Sequence, residues 1–189
     1  ETLMVEGPVP NYYRAMIEND TYLGTDTSDL KYTSDKFKVR NVSVETLEKM
    51  VKVTVNGYIP TATETPNTIT YTIFPNGQIV VNNTATIHST KALTRVGMKI
   101  SIPEEFENFT YYGRGPWENY SDRNTASFIS TYETTVDEIE ALNKYLRPQE
   151  NGNHTDVRYA AVRNDNGAGF MVQAENIMET SLSRYEDEA

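Results

Sequence analysis

Alternation of apolar and polar residues with a period of two recurs along this chain and constrains its fold more than any other feature. VKVTVNGYI, residues 51–59, puts Val51, Val53 and Val55 on one side and Lys52, Thr54 and Asn56 on the other. Successive side chains of a strand point to opposite faces, so such a segment reads as a strand with one face buried. TITYTIF (68–74), GQIVVNNTATI (77–87), VGMKISI (96–102), TASFISTY (125–132) and VRYAAVRN (157–164) repeat the pattern. Pro75-Asn76-Gly77 separates two of these segments, and Asn164-Asp165-Asn166-Gly167 leads into AGFMVQA; both are turn sequences. The expected class is therefore all-β and antiparallel, a large sandwich in which each sheet buries one face.

Helical signals are few. Thr135-Val136-Asp137-Glu138 has the form of a capping box opening a short helix, TVDEIEALNKYL, which Pro148 would prevent from running past Arg147. No linker, low-complexity stretch or internal repeat interrupts the 189 residues, so a single domain over 1–189 is expected. Ser181, Leu182 and Tyr185 read as the start of another element, and an unfinished sheet would leave an open edge.

Composition excludes several classes. A net charge of −10 without a basic stripe makes nucleic acid a poor partner. The absence of cysteine removes disulfides and thiolate metal sites. No apolar run is long enough to span a membrane as a helix, and the opening ETLMVEGPVP lacks the basic start and apolar core of a secretory leader. The thirteen tyrosines suit strand packing at least as well as sugar stacking.

Glycoside hydrolysis typically needs two carboxylates facing each other across the scissile bond. None of the 27 acidic residues lies in a motif of that kind. Asp137-Glu138-Glu140 reads as a solvated helix face and Glu104-Glu105 as an exposed loop. His88 and His154 lack metal-ligand spacing, and neither a nucleophile elbow nor a phosphate loop occurs. Five Asn-x-Ser/Thr triplets, at Asn41, Asn82, Asn108, Asn119 and Asn153, are what an Asn- and Thr-rich chain produces by chance.

Two stretches are more specific than composition explains: YGRGPWENYSDR at 112–123 and RPQENGNHTDVR at 147–158. Glycine permits tight turns, proline stiffens them, and arginine beside an acid locks a loop through charge-assisted bonds. Both read as ordered polar loops on a rigid β scaffold.

The first stretch resembles the YGRGPxENYxDR signature of the C-terminal sandwich domain of glycoside hydrolase family two β-galactosidases. PQENGNHTDVR is similar to that domain's PQENGxRTDVR, and NYYRAMIENDTYLG (11–24) to its opening NFWRAPTDNDxG. Thr94-Arg95-Val96-Gly97 is similar to the short segment before the first signature. The matches keep family order from about residue 10 to 160. Departures are Tyr12-Tyr13 for Phe-Trp, Met16-Ile17 for Pro-Thr, Glu18 for the first Asp, and His154 for Arg.

The resemblance implies a galactose-mutarotase-like supersandwich that continues past residue 189. It implies a parent enzyme hydrolysing terminal β-D-galactosides with retention, through a catalytic acid and a nucleophilic glutamate in a preceding TIM barrel. This chain would then hold no catalytic residue and no cofactor, with Mg2+ and Na+ belonging to the parent enzyme. Its partners would be that barrel, the galactoside through the shared active site, and other copies in a homo-oligomer. Gly115, Pro116, Trp117, Glu118 and Asn119 match the loop bordering the active site, with Gly115 as hinge and Glu118 as the polar group nearest the pocket. Arg114, Asp122 and Arg123 would anchor its base. Bacterial cytoplasm and periplasm both remain open. Two other classes compete: an independent carbohydrate-binding sandwich using an aromatic groove, and a mutarotase or epimerase, for which the two histidines offer no acid–base motif.

Overall fold

A computed structural model describes residues 2–17, 19–20, 30, 36–88, 92–142, 145–146 and 149–185. Glu18 and Thr21–Gly24 of the opening motif, Asn143 and Lys144 of the expected helix, and Arg147 and Pro148 lie outside the described residues. The expected class is what the structure shows: all-β, with antiparallel pairing throughout the two four-stranded sheets. The chain divides into two compact units, one of residues 6–100 and one of 1–5 with 101–189.

In the first unit, β2 (Lys38–Leu47), β3 (Met50–Ile59), β4 (Thr65–Ile73) and β5 (Ile79–Ala85) form a meander in that order. Val53 lies opposite Val44 and Tyr71, and Tyr71 opposite Val81, so the alternation read from the sequence lines up as an apolar face. The β4–β5 turn closes as its sequence requires: Gly77 has a φ of 86°, and the Phe74 amide donates to the Gln78 carbonyl at 2.9 Å. β2 breaks period two at Asn41, where the register slips after Val39. A separate pair joins β1 (Glu6–Asn11) to β6 (Gly97–Ser101). Tyr12, Leu30 and Ile59 form this unit's core, with Phe37, Ala85, Ile87 and Leu93 against it.

In the second unit the order is β10 (Gly169–Thr180), β9 (His154–Arg163), β7 (Asn108–Gly115), β8 (Phe128–Thr135). The Asn164–Gly167 turn joins β9 to β10, with Gly167 at a φ of 81° and the Asn164 Oδ1 accepting from the amides of Asn166 and Ala168. Phe109, Tyr111, Val157, Ala160 and Val162 point inward and meet Phe106 and Ile139. Ile139 comes from α1 (Val136–Leu142), whose start is the expected capping box. The Glu138 amide donates to the Thr135 hydroxyl at 3.3 Å, and the Thr135 amide donates to the Glu138 carboxylate at 3.1 Å. Glu104 and Glu105 are exposed, as expected of a loop.

Candidate functional site

The two signature stretches meet at the loop ends of β7 and β9. Part of each turns out to be strand: Tyr112–Gly115, from the start of the first stretch, finish β7, and His154–Arg158, the end of the second, open β9. Glycine in a strand interior often marks a close approach. A Cβ on Gly113 would stand 2.6 Å from the Val157 Cγ2 and 2.9 Å from its Cα. One on Gly115 would stand 2.3 Å from the Tyr111 hydroxyl. Gly115, expected as a hinge, is thus tightly packed at the end of β7. The Gly115–Pro116 peptide is cis.

Past Pro116 the chain is pinned by Asn119, which is fully buried. Its Oδ1 accepts from the Thr155 amide at 2.9 Å and the Thr155 hydroxyl at 2.6 Å. Its Nδ2 donates to the carbonyls of Arg114 and Trp117, each at 3.0 Å. Its amide donates to the Asn153 carbonyl at 2.7 Å, and the Asn153 Nδ2 returns a bond to the Asn119 carbonyl at 2.9 Å. The four side-chain bonds use the whole donor and acceptor pattern of an asparagine amide. Asn153 also donates to the Glu179 carboxylate on β10 at 2.9 Å.

Glu118 forms the second knot. Its side chain is 9% exposed. It accepts from Arg123 Nη2 at 2.7 Å, from the Gly152 amide at 2.8 Å and from the Tyr145 hydroxyl. Burial, followed by the carboxylate beside it, pushes the Tyr145 hydroxyl upward in pKa, so it stays protonated and donates. Tyr120 is raised further, by burial and then by the charges of Glu150 and Glu118.

Arg114 secures the base. Its Nε pairs with Asp156, and its Nη1 donates to the Ser127 carbonyl at 3.0 Å. Asp156 holds a left-handed φ of 54° in doing so. The acid that anchors this arginine thus comes from the second stretch, while Asp122 sits exposed in the Tyr120–Arg123 turn. His154 is buried and stacks on Tyr111 with 4.3 Å between ring centroids. Its Nδ1 lies 3.2 Å from the Arg114 carbonyl, which can only accept, so Nδ1 carries the proton. Burial lowers its pKa, against smaller opposing effects of that carbonyl and of Glu118, and keeps it neutral.

Of the residues named from sequence, Arg114, Gly115, Pro116, Trp117, Glu118, Asn119 and Arg123 gather in this assembly. Pro116 and Trp117 are exposed, Trp117 at 59%. Sequence reasoning passed over Tyr145, Asn153, Thr155 and Asp156 as members. Asp156 and Thr155 lay inside the second stretch and could have been found there as partners for Arg114 and Asn119. Tyr145 lies outside both stretches and carried no signal. Among the described residues, no group of three or more His, Asp or Glu is placed to hold a metal ion.

In the other unit, the opening motif is held in a comparable manner. Arg14 grips Asp20 through two bonds, of 2.7 and 3.1 Å, and the Ile17 amide donates to the same carboxylate at 2.8 Å. Burial raises the Asp20 pKa, but these donors outweigh it and the net shift is downward.

The sequence profile of the family described as "Beta galactosidase small chain" matches residues 1–189. The chain belongs to that family. This small chain is 31% identical over 186 residues to a β-galactosidase of Priestia megaterium, covering 97% of the chain and 18% of that relative. It is 28% identical over 190 residues to one of Halalkalibacterium halodurans, again covering 97% of the chain and 18% of the relative. A β-galactosidase of Streptococcus thermophilus is 31% identical over 176 residues, covering 90% of the chain and 17% of the relative. The small chain thus spans less than a fifth of the length of these curated relatives, and in each the matched stretch includes most of the two units described above.

Proposed function

We propose that this chain is the part of a retaining β-galactosidase that builds the rim of the active site, while the reacting carboxylates reside in a TIM barrel elsewhere in the same polypeptide. In such a reaction one carboxylate attacks the anomeric carbon and a carboxylic acid protonates the leaving oxygen. Water then releases the galactose from the covalent intermediate, with the same acid acting as base. Positioning of the sugar contributes much of such an enzyme's rate, and only stiff loops position well. The observation that carries the reading is the double knot at Glu118 and Asn119. It fixes residues 115–119 to two strands and leaves Trp117 facing solvent. The curated relatives, named β-galactosidases, support the reaction class.

The test is a comparison of two pure proteins on a chromogenic nitrophenyl β-galactoside. The full-length protein carrying this sequence should turn it over, and the 189-residue chain alone should not. Turnover by the chain alone would sink the accessory reading. A second reading, an independent sugar-binding module, draws on the 59% exposure of Trp117. Saturable quenching of Trp117 fluorescence by galactose or lactose in the isolated chain would favour it.

A further inference from the structure

The family resemblance puts Glu118 as the polar group nearest the pocket, yet in the fold it has the surroundings of a structural carboxylate. Its three donors come from three separate segments. Arg123 belongs to its own loop, Tyr145 follows α1, and Gly152 precedes β9. A carboxylate has roughly four lone-pair sites, and three are engaged by a cation, a hydroxyl and a backbone amide. At 9% side-chain exposure, little of it remains for a sugar hydroxyl. Its neighbour in sequence has the opposite character. Trp117 is 59% exposed, yet the backbone on both sides of it is fixed. On one side Gly115 is packed against Tyr111 and Tyr132. On the other, the Trp117 carbonyl accepts from Asn119.

The geometry assigns Glu118 as a positioning residue: it does not touch the galactoside but clamps the turn that presents Trp117 to the rim of the site. This rests on the rim function proposed above and deepens it. The clamp sets where the indole stands, and through it how the sugar is seated. Removing the clamp therefore weakens substrate binding while sparing the chemical step.

Glu118→Ala, Glu118→Gln and Tyr145→Phe test this in both the 189-residue chain and the full-length protein. Trp117 is the sole tryptophan of this chain, so in the isolated chain its near-ultraviolet circular dichroism and fluorescence anisotropy report the turn directly. Glu118→Ala should lose the tryptophan dichroism band and lower the anisotropy, with the far-ultraviolet strand signal unchanged. Glu118→Gln keeps the shape and an acceptor oxygen, and should recover part of both. In the full-length enzyme, KM for the nitrophenyl galactoside should rise about five- to tenfold in Glu118→Ala with kcat within about twofold, the signature of lost binding rather than lost chemistry. Tyr145→Phe removes one donor and should show a smaller change in the same direction, which keeps the test decisive if the alanine variant fails to fold. Unchanged tryptophan signals and KM in all three variants would overturn the assignment. So would a hundredfold fall in kcat at constant KM in both Glu118 variants, since that marks a group acting on the reacting atoms. Loss of the proposed function itself looks different: a full-length protein inactive on the galactoside, with the Trp117 response to Glu118→Ala intact.

Discussion

Asn119 offers the sharpest test of how the two signature stretches depend on each other. Replacing it with alanine deletes four side-chain hydrogen bonds at a position with no solvent exposure. The Arg114 carbonyl keeps its bond from His154, and the Trp117 carbonyl lies beside an exposed residue within reach of water. The Thr155 amide and hydroxyl, in a residue only 4% exposed, are left without their acceptor. Each of these two orphaned buried groups costs about 1–3 kcal/mol, so Asn119→Ala should cost about 2–6 kcal/mol, a large share of the roughly 5–15 kcal/mol that holds a domain together. At about 2–4 °C per kcal/mol for a chain of this size, the melting temperature should fall by about 4–24 °C. Asn119→Asp is nearly the same shape and should be worse at neutral pH. It turns the donating nitrogen into an oxygen about 3.0 Å from two carbonyl oxygens and buries a charge. Burial raises the introduced carboxyl's pKa in the folded state above its unfolded value, so protonation favours the fold. The aspartate variant should regain stability as the pH falls towards roughly 4. Urea titrations at pH 7 and pH 5, followed by Trp117 fluorescence in the same unit, measure both effects. If both variants unfold within about 0.5 kcal/mol of the wild type, the picture of a buried asparagine joining the two stretches is wrong.

Three further outcomes follow from the same structure. Gly113→Ala should lower stability by about 1–3 kcal/mol, because its methyl would meet Val157 backbone 2.9 Å away; Gly77→Ala, with open space but a φ of 86°, should cost about 1 kcal/mol, as paired denaturant curves would show. Thr135→Ala should cost about 1 kcal/mol through loss of the α1 cap, and Thr135→Ser should restore most of it. His154 is held neutral by burial, so unfolding lets it take up a proton. Its contribution to stability is unaffected well above pH 6.5 and turns unfavourable as the pH falls below that unfolded value, a loss that His154→Gln should remove from a stability–pH profile.

The alternation marked most of the strands. Residues 51–59 became β3 at Met50–Ile59, and residues 157–164 fall largely in β9 at His154–Arg163. β2 escaped notice because the register slip at Asn41 puts Val39 and Val42 out of step, so period two fails over the first half of the strand. The end of β7 reads as loop in the sequence because Gly113 and Gly115 look like turn residues. Their reason is steric, the nearness of Val157 and Tyr111, and no local pattern contains it.

The amino-acid sequence by itself determined the all-β class, the Gly77 and Gly167 turns, the capping box of α1 and the two polar stretches that mark the family, because each is written in residues a few positions apart. Only the tertiary structure decided what those stretches do to each other. The bonds of Glu118 to Gly152 and Tyr145, of Asn119 to Thr155 and of Arg114 to Asp156 join residues 27 to 42 positions apart. Strand pairing brings them together, and the shielding of those polar groups from water sets which carboxylate is clamped and which indole is left in the open.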